Sequence, residues 1–464
     1  MVEERRQDPV DGVAYTFAEL SAYYATQKYS KKAIKAYWSD ECLPVKGKAK
    51  AKAKAKVKAK AKAKSKTAQA KGLMLEYNMG KLALDYRQDK QKKRRDAGTE
   101  SKPKVKLEDM VPSGLCVVGE ALIDFLPVTT ADGKSAFRGV PGGSPFNCCI
   151  AARRLGLPVT FLGGLSNDLF GEELYGHLSR EGVDMELIPR FGKPTTLAFV
   201  VKSKDEGEKY AFFKENAADR QLNKSIVAKS MRSRRFKAVH MSLGAVTLED
   251  TALAEAFAVL YRMAAKQGAL RSFDPNIRAN MISAGGKVYS KQIEKLLRSV
   301  DLVKTSDADV EYMYGEGCEL ATVAANWLKL GPKLVVITKG SKGAEAFIPQ
   351  QEGSPKSVSV TPPGERPDTI DAEGKPTPVA DSVGAGDTFM GGLIDGFVGS
   401  ESLFEQLVAK RPAWQETAAE LVQGVLHRSA VCAAITCSRH GCDPPTAAEA
   451  KTALDALGAG QGGK

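Results

Sequence analysis

The sequence contains few of the residues that mark metal-dependent or disulfide-bonded proteins. Its 464 residues include only 4 histidines and 8 cysteines, with no HxxxH or CxxC spacing among them. This argues against a structural zinc site or a disulfide scaffold and fits a reducing compartment. No run approaches the roughly 18 apolar residues that a membrane span needs, and the charged start MVEERRQDPVDG lacks the apolar core of a signal peptide. We therefore expect a cytoplasmic protein, with import into an organelle left open.

The excess positive charge is confined to the first quarter of the chain. Residues 1–113 hold 28 lysines and arginines against 14 acidic residues, whereas residues 114–464 hold 40 against 41. A lysine occupies every second position from Lys46 to Lys66. These lysines repel one another in a helix or a strand, so residues 45–71 are predicted to be an extended, solvated Lys/Ala linker. It is either a spacer or an arm that binds nucleic acid or another anionic surface.

Two short segments flank this linker. Residues 1–44 contain Thr16-Phe17-Ala18-Glu19, a capping-box pattern that predicts a helix start, and Ser30 is placed to cap a second helix. Residues 72–113 are basic, with a helical pattern over 73–86. We expect either a small helical module that binds a partner or marginal helices that bury little surface.

From Leu115 onward, strand and helix patterns alternate, which is typical of an α/β domain with a mostly parallel sheet. The runs TTLAFVVKS and KYAFFKE, on either side of Asp205-Glu206-Gly207, predict a β-hairpin. Residues 349–378 are rich in proline, glycine and charge and predict an inserted surface loop. Helices are predicted over residues 249–265, 289–298, 321–329, 386–398, 415–436 and 446–456.

The segment ADSVGAGDTFMGGLIDGFV, residues 380–398, carries the clearest chemical signal. Gly384, Ala385 and Gly386 permit a tight turn before an apolar helix, so backbone amides and the positive end of the helix dipole form a site for anions. Asp387 lies in the first turn of that helix. A carboxylate beside an anion site suits phosphoryl transfer, in which it accepts a hydroxyl proton. The alternative is that Asp387 only caps the helix.

Six motifs follow Leu115 in a fixed order: GEALIDF (119–125), PGGSPFN (141–147), FFKENAAD (212–219), SFDPNIR (272–278), VVITKGSKGA (335–344) and DSVGAGDTF (381–389). In sequence and spacing they resemble the ribokinase-type (PfkB) carbohydrate kinase family, most closely its fructokinase branch. The resemblance implies a ribokinase-like layered α/β sandwich with a mostly parallel central sheet and a small β-sheet lid over residues 114–460, after the basic N-terminal extension. It implies ATP and Mg²⁺, and it points to a monovalent cation such as K⁺ and to a homodimer formed through the lid. The chain has no GxxxxGK[ST] motif, so ATP binding rests on the resemblance.

The resemblance also implies roles for individual residues. Asp387 resembles the base that deprotonates a primary hydroxyl of the sugar, beside the anion site of Gly384, Ala385 and Gly386. The residues implied to bind the sugar are Asp124, Gly142, Gly143, Asn147, Lys214 and Arg278. Those implied to bind ATP are Lys304, Ser306, Thr338, Lys339 and Gly340, and Asp309 is implied to hold the metal.

Several positions depart from the family pattern. Lys214 stands where the fructokinase lid usually has arginine, and it lacks the planar fork of that side chain. Ser306 and Asp309 replace the family's Asn-x-x-Glu; the shorter aspartate keeps the charge and would hold the metal through a water molecule. Asn276 and Arg278 either face phosphates or belong to a surface turn.

Three functions agree with these features. The first is a kinase that makes fructose 6-phosphate from fructose and ATP, which FFKENAAD favours. The second is a kinase of the same fold that acts on 2-keto-3-deoxygluconate, ribose or adenosine. The third is a non-catalytic, fructokinase-like scaffold with a nucleic-acid-binding arm. The intact GAGD sequence argues against the third, because a scaffold has no chemical need for a base.

Overall fold

The computed structural model describes residues 5–7, 14–26, 34–35, 38–39, 43–44, 110–203, 207–244, 246–350, 353–363, 368–409, 414 and 418–461. The chain forms two compact units, Met1–Lys104 and Val105–Lys464. The linker predicted over residues 45–71, the helix predicted over 73–86 and the capping residue Ser30 all lie outside the described residues.

The described residues of the first unit include three short strands and a helix. In chain order these are β1 (Arg5–Gln7), β2 (Ala14–Thr16), α1 (Phe17–Thr26) and β3 (Leu43–Pro44), and the strands form an antiparallel sheet in the order β2-β1-β3. The predicted capping box is confirmed, because the Glu19 N–H donates to Thr16 Oγ1 (3.2 Å) and the Thr16 N–H donates to Glu19 Oε2 (2.8 Å). Helix α1 agrees with the predicted helix start, whereas the three strands were not predicted. Strands of two or three residues are too short for a detectable sequence period, because an alternating pattern needs about four residues or more.

A small apolar core accompanies these elements. Leu20, Ile34 and Trp38 are buried, and the Phe17 ring meets the Trp38 ring edge to face at 5.7 Å between centroids. The Arg6 guanidinium lies 5.6 Å from the Trp38 ring centroid and donates to the Trp38 carbonyl (3.0 Å). The indole thus serves as both an apolar contact and a cation–π partner.

The second unit contains the remaining elements. Its strands are, in chain order, β4 (Ser113–Val118), β5 (Leu122–Thr129), β6 (Ser135–Gly142), β7 (Val159–Leu162), β8 (Leu165–Ser166), β9 (Arg190–Phe191), β10 (Thr196–Ser203), β11 (Gly207–Phe213), β12 (Phe236–Ser242), β13 (Leu270–Asp274), β14 (Leu302–Ser306), β15 (Leu334–Thr338), β16 (Ala344–Ile348), β17 (Lys356–Val360), β18 (Asp368–Ile370) and β19 (Pro376–Pro378). Its α-helices are α2 (Ser144–Arg154), α3 (Leu169–Arg180), α4 (Lys224–Ser233), α5 (Thr251–Gln267), α6 (Gly286–Leu297), α7 (Asp307–Tyr314), α8 (Leu320–Leu330), α9 (Ala385–Gly399), α10 (Glu401–Val408), α11 (Ala418–Cys437) and α12 (Ala447–Gln461).

An eight-stranded sheet forms the centre of this unit, in the order β17-β16-β15-β14-β13-β12-β4-β7. The strands from β15 to β7 pair in parallel, and β16 and β17 add antiparallel pairs at one edge. One face packs against α2, α3, α9, α10 and α11, and the other against α4 to α8. Sheets covered on both faces have nearly continuous apolar strands, which explains runs such as Leu334–Thr338. The predicted layered sandwich with a mostly parallel sheet is confirmed.

A second, four-stranded sheet has the order β11-β10-β5-β6. Strands β10 and β11 pair antiparallel, as predicted for the hairpin, while β10 runs parallel to β5. Side chains alternate between the two faces of a strand, so Val200 is buried whereas Phe199 joins an aromatic cluster. This cluster comprises Phe125, Phe137, Phe199 and Phe213.

The loop predicted over residues 349–378 is wrong in part. Within it, β17 extends the central sheet and β18 pairs with β19. Only Val358 of β17 is buried, so the strand carries little apolar signal between its Pro- and Gly-rich neighbours. Helices α4, α7 and α10 were also not predicted. Among the described residues, no helix is both long and apolar enough to cross a bilayer.

Candidate active site

A cavity of about 280 Å³ lies between the four-stranded sheet and the carboxyl ends of the parallel strands. Ligands of open α/β sheets bind at this edge. Strands β5, β10 and β11 contribute one wall, and the residues that follow β4, β12 and β13 contribute the other. The predicted site residues that line it are Asp124, Gly143, Asn147, Arg278, Lys304, Ser306, Asp309, Thr338, Gly384, Gly386 and Asp387.

Five predicted site residues do not line this cavity: Gly142, Lys214, Lys339, Gly340 and Ala385. Lys339 forms an ion pair with Glu345 at 3.0 Å. The Ala385 N–H donates to the Ser382 carbonyl (3.3 Å), so this amide closes the turn instead of facing the cavity. The predicted anion site therefore has Gly384 and Gly386, but not Ala385, at the cavity wall.

Gly142 contributes by leaving space. A Cβ atom at this position would lie 2.1 Å from Asp124 Oδ2, which is well inside van der Waals contact. Because Gly142 has no side chain, the Asp124 carboxylate on β5 can lie against the backbone of β6. Lys214 follows β11 and is partly buried, and burial together with the nearby Arg220 lowers its pKa.

Asp387 is buried in the first turn of α9, and two side chains of α2 fix its carboxylate. The Ser144 hydroxyl donates to Oδ1 (2.6 Å), and the Asn147 side-chain amide donates to Oδ2 (2.9 Å). Residues three apart share one face of a helix, which is why both reach the same carboxylate. A carboxylate has about four acceptor positions, so each oxygen retains capacity for a ligand hydroxyl. Asn147, predicted to contact the sugar, thus also holds the carboxylate.

Two glycines allow α9 to pack closely against its neighbours. Gly384 caps α9 with φ 76°, and a Cβ there would lie 2.2 Å from Cys442 Sγ. A Cβ at Gly391 would lie 2.8 Å from Ala151 Cβ, so α9 and α2 approach closely only because Gly391 lacks a side chain. This close approach sets the distances from Ser144 and Asn147 to Asp387.

A buried ion pair lies beside the N-terminus of α9. Lys304 Nζ is 2.9 Å from Asp274 Oδ2, and the two side chains are 4% and 1% exposed. Burial lowers the pKa of Lys304, but Asp274, Asp387 and Asp309 outweigh this effect and raise it overall. Burial raises the pKa of Asp274 to about 6, although Lys304 opposes the shift. The ammonium would be 3.2 Å from a Cβ on Gly386, so a fixed positive charge adjoins the predicted anion site.

Asp124, on β5, is a carboxyl group whose charge depends on pH near neutrality. Burial raises its pKa to about 7; Asp387 adds to this effect and Arg278 opposes it. The group therefore changes its charge within the physiological range.

Glu120 and Asn276 also line the cavity; Glu120 was given no role from the sequence, whereas Asn276 was predicted either to face phosphates or to belong to a surface turn. Glu120 is 2% exposed and accepts the Val246 N–H (3.0 Å). Asn276 has a positive φ of 40°, and its buried Oδ1 has no hydrogen-bond partner among the described residues. Such an atom calls for a ligand donor or a water molecule. Both residues belong to quoted motifs, GEALIDF and SFDPNIR, which was the available signal.

Asp309 is the acidic residue predicted to hold the metal. Its Oδ1 accepts the Ile277 N–H (2.9 Å), and its Oδ2 accepts the Ser306 N–H (3.0 Å) within a capping box. In the described part of the chain, no group of three or more histidine, cysteine or acidic residues is arranged to hold a metal ion. One carboxylate with capacity to spare fits Mg²⁺, which usually binds one or two carboxylates, several waters and substrate phosphates.

These features define a class of protein. A buried carboxylate at a glycine-capped helix N-terminus, a fixed lysine beside it and a β-sheet over the cavity describe an α/β phosphotransferase in which a hydroxyl group is the acceptor.

Comparisons with known proteins agree with this class. The profile of the pfkB family carbohydrate kinases matches residues 113–449. The chain is 36% identical to a fructokinase of Rhizobium leguminosarum bv. trifolii, over 60% of this chain and 77% of the relative. It is 32% identical to fructokinase-2 of Solanum lycopersicum, over 74% of this chain and 96% of the relative.

Solved structures share the fold. A fructokinase from Xylella fastidiosa with bound ATP superimposes with a TM-score of 0.58 at 23% identity, covering 75% of this chain and 98% of that one. A candidate ribokinase II from E. coli, in complex with ATP and Mg²⁺, gives a TM-score of 0.56 at 21% identity, covering 74% and 99%. The protein belongs to the pfkB family of carbohydrate kinases and is a sugar kinase.

Proposed function

We propose that the protein is a fructokinase that transfers the γ-phosphoryl group of ATP to the 6-hydroxyl of D-fructose. The observation that carries this proposal is the buried carboxylate of Asp387, which is held by two donors at the N-terminus of α9 inside the cavity. The relatives at 36% and 32% identity are named fructokinases, which favours fructose over the other acceptors.

Asp387 acts as the general base. It takes the proton of the 6-hydroxyl, the oxygen forms a bond to the γ-phosphorus, and the bond from that phosphorus to the ADP oxygen breaks. Negative charge on the transferring group develops beside the Gly386 backbone and the Lys304 ammonium. Both are positioned before the reaction, so they stabilise the transition state without reorganisation.

Other residues of the cavity wall hold the sugar and exclude water. Asp124 and Arg278 supply charged hydrogen-bonding groups, and Gly143 lets the backbone approach the ligand. Val200 and Phe212 of the four-stranded sheet cover the cavity, so we assign this sheet as the lid. The predicted sugar contact of Lys214 requires the end of β11 to move inward on closure.

ATP and Mg²⁺ are assigned to the same cavity. Structures of the same fold contain ATP or ATP with Mg²⁺, and Ser306 and Thr338 line the wall at the ends of β14 and β15. Asp309 would hold Mg²⁺ through water, and the ion would neutralise charge on the phosphates. A requirement for K⁺ stays a prediction, to be tested by replacing K⁺ with Na⁺.

A panel of acceptors tests the proposed substrate. The full chain is assayed with ATP and Mg²⁺ against D-fructose, D-glucose, D-ribose, 2-keto-3-deoxygluconate and adenosine. We expect kcat/KM to be highest for fructose. A higher value for another acceptor would assign a different kinase of this family, and the absence of turnover with all of them would favour the non-catalytic scaffold.

Sugar binding should depend on pH through Asp124. An ionised carboxylate accepts two hydroxyl hydrogen bonds, whereas a protonated one must donate at one oxygen. Because the pKa is raised to about 7, the carboxylate is mostly protonated at pH 6 and mostly ionised at pH 8. The KM for fructose should therefore fall several-fold between these values, and Asp124→Asn should abolish the dependence. A pH-independent KM in the unmodified protein would remove Asp124 from sugar recognition.

The lid is also the proposed dimer surface. Phe213 is 63% exposed and Phe137 48%, and both pack edge to face against Phe199. The cluster lies on a sheet of four strands whose edges, β6 and β11, can pair with a second copy. Sedimentation of the unmodified protein and of Phe213→Ser tests this: a dimer that dissociates in the variant supports it, and an unchanged monomer contradicts it.

The basic tract of residues 45–71 is proposed to bind nucleic acid. Eleven lysines at alternate positions can contact phosphates, but they do not distinguish one base sequence from another through the base edges. The full chain should bind duplex DNA at low salt. A plot of log affinity against log salt concentration should have a slope of about −0.9 for each phosphate contact. A chain that begins at Pro112 should lose this binding and keep its kinase constants. No binding by the full chain would make the tract a spacer, and loss of kinase activity would show that the domain boundary is misplaced.

A cytoplasmic location, with import into an organelle as the alternative, stays a prediction. Fluorescence of a C-terminal fusion, compared with organelle markers, tests it; signal confined to an organelle would assign import instead.

A further inference from the structure

Two serine hydroxyls form successive hydrogen bonds that lead to the Asp387 carboxylate. Ser144 is the first residue of α2 and is 7% exposed, and Ser242 is the last residue of β12 and is 0% exposed. Their Oγ atoms are 2.6 Å apart, and the Ser144 hydroxyl donates to Asp387 Oδ1 (2.6 Å). On its other side, the Ser242 hydroxyl is 3.2 Å from the Leu243 carbonyl oxygen. The groups thus form a chain that runs from the carboxylate to a backbone acceptor.

The direction of hydrogen bonding in this chain depends on whether Asp387 carries a proton. With an ionised carboxylate, the Ser144 proton points at Asp387, and its oxygen is free to accept the proton of Ser242. With a protonated carboxyl, that group donates to Ser144, Ser144 donates to Ser242, and Ser242 donates to the Leu243 carbonyl. Only hydroxyl rotations separate the two arrangements, and no proton leaves the carboxyl group.

Asn147 cannot make this adjustment. Its Nδ2 group only donates, so it holds Oδ2 as an acceptor in both protonation states. If Oδ1 lacked an adjustable partner, the protonated carboxyl would bury a hydroxyl with no acceptor on the protein, which carries a substantial desolvation cost. Ser144 can therefore either donate to or accept from Oδ1, whereas Asn147 can only donate to Oδ2.

We propose that Ser144 and Ser242 form a reversible hydroxyl chain that positions Asp387 and keeps its carboxyl group hydrogen-bonded before and after it takes the proton of the sugar. This inference rests on the proposed role of Asp387 as the base. Ser144 is then a positioning residue that acts directly on the base, and Ser242 acts only through Ser144.

Other charged or titratable groups that face Asp387 are Lys304 of β14, Asp274 of β13, Asp124 of β5, Cys148 of α2 and Cys442 after α11. Replacing either serine by alanine leaves all of these in place. A shift in the acid limb of the kcat–pH profile can therefore be assigned to the lost hydroxyl.

The test compares Ser144→Ala, Ser242→Ala and the double variant in the full chain. A hydroxyl that donates to an ionised group stabilises the ionised form, so in Ser144→Ala we expect kcat at pH 8 to fall about tenfold and the acid limb to move up by about one pH unit. The KM values for ATP and sugar should stay within twofold. Ser242→Ala should give a smaller shift in the same direction, and Ser144→Thr, which keeps the hydroxyl, should recover most of kcat.

The double variant provides the sharpest outcome, because groups that act in series are not additive. Ser144→Ala/Ser242→Ala should have the same kcat and acid limb as Ser144→Ala alone. A further, independent loss of kcat would contradict the proposed hydroxyl chain. Ser290→Ala, which removes a buried hydroxyl that donates to the Lys287 carbonyl on α6, is the matched control for folding and should leave the profile unchanged.

Two outcomes separate this inference from the proposed function. If Asp387→Asn abolishes turnover while Ser144→Ala behaves like Ser290→Ala, the hydroxyl chain is wrong and the base assignment stands. If Asp387→Asn retains turnover, the base assignment itself falls. A raised KM for sugar with unchanged kcat in Ser144→Ala would make Ser144 a sugar contact and would also overturn the chain.

Discussion

Replacing Asp387 with asparagine is expected to lower kcat by about 10²–10⁴ while ATP binding changes little. Asparagine keeps the size of the side chain but cannot accept the proton of the sugar hydroxyl. The substitution also removes a negative charge next to Lys304, so electrostatic attraction for the phosphates should not weaken. Steady-state rates at saturating sugar and ATP give kcat, and calorimetry with ATP gives its affinity.

A second aspartate on the same helix provides the control. Asp395 lies two turns further along α9 and pairs with Arg428, away from the cavity. Asp395→Asn should lower the unfolding temperature and leave kcat within about twofold. Turnover of Asp387→Asn within a few-fold of the unmodified protein would contradict its role as the base.

Replacing Lys304 with methionine is expected to affect both stability and catalysis. The substitution keeps an unbranched apolar stem but leaves Asp274 buried without its counter-ion. Breaking a buried pair in this way costs about 3–5 kcal/mol. Loss of the lysine raises the pKa of Asp274 further above its present value of about 6. The neutral form then predominates as pH falls, so the deficit in unfolding free energy should be smaller at pH 5 than at pH 8.

Two further variants separate the effects on stability and catalysis. Lys304→Met/Asp274→Asn removes both charges and should recover much of the stability, but not kcat, because the positive charge beside Gly386 is still missing. Lys333→Met is the matched control, since its partner Asp301 is also buried but keeps Arg271 (2.6 Å). Recovery of kcat in the double variant would contradict a catalytic role for Lys304, as would full activity in Lys304→Met.

Local sequence patterns predicted those parts of the structure that depend on neighbouring residues. The capping box of Thr16 and Glu19, the β10–β11 hairpin and the start of α9 at the GAGD turn are all determined within a few positions. The alternation of apolar strands with amphipathic helices was sufficient to predict the layered sandwich, because both faces of the central sheet are covered by helices.

Contacts between distant residues could not be predicted in this way. Ser144 and Asp387 are 243 positions apart, and Lys304 and Asp274 are 30 positions apart on adjacent strands. Only the folded arrangement of α2, α9 and the parallel strands brings these polar groups together. The same limitation applies to β17. This segment has one buried residue, so only its pairing with β16 identifies it as a strand.

The most direct test of the central claim is the identity of the product formed from D-fructose and ATP. Proton–phosphorus correlation spectra are recorded on reactions containing the unmodified chain and, in parallel, Asp387→Asn. We predict a phosphate coupled to the protons on carbon 6, formed in a one-to-one ratio with ADP by the unmodified chain and not detected with the variant over the same time. A phosphate on another carbon, ADP without a sugar phosphate, or equal product from both proteins would contradict the account.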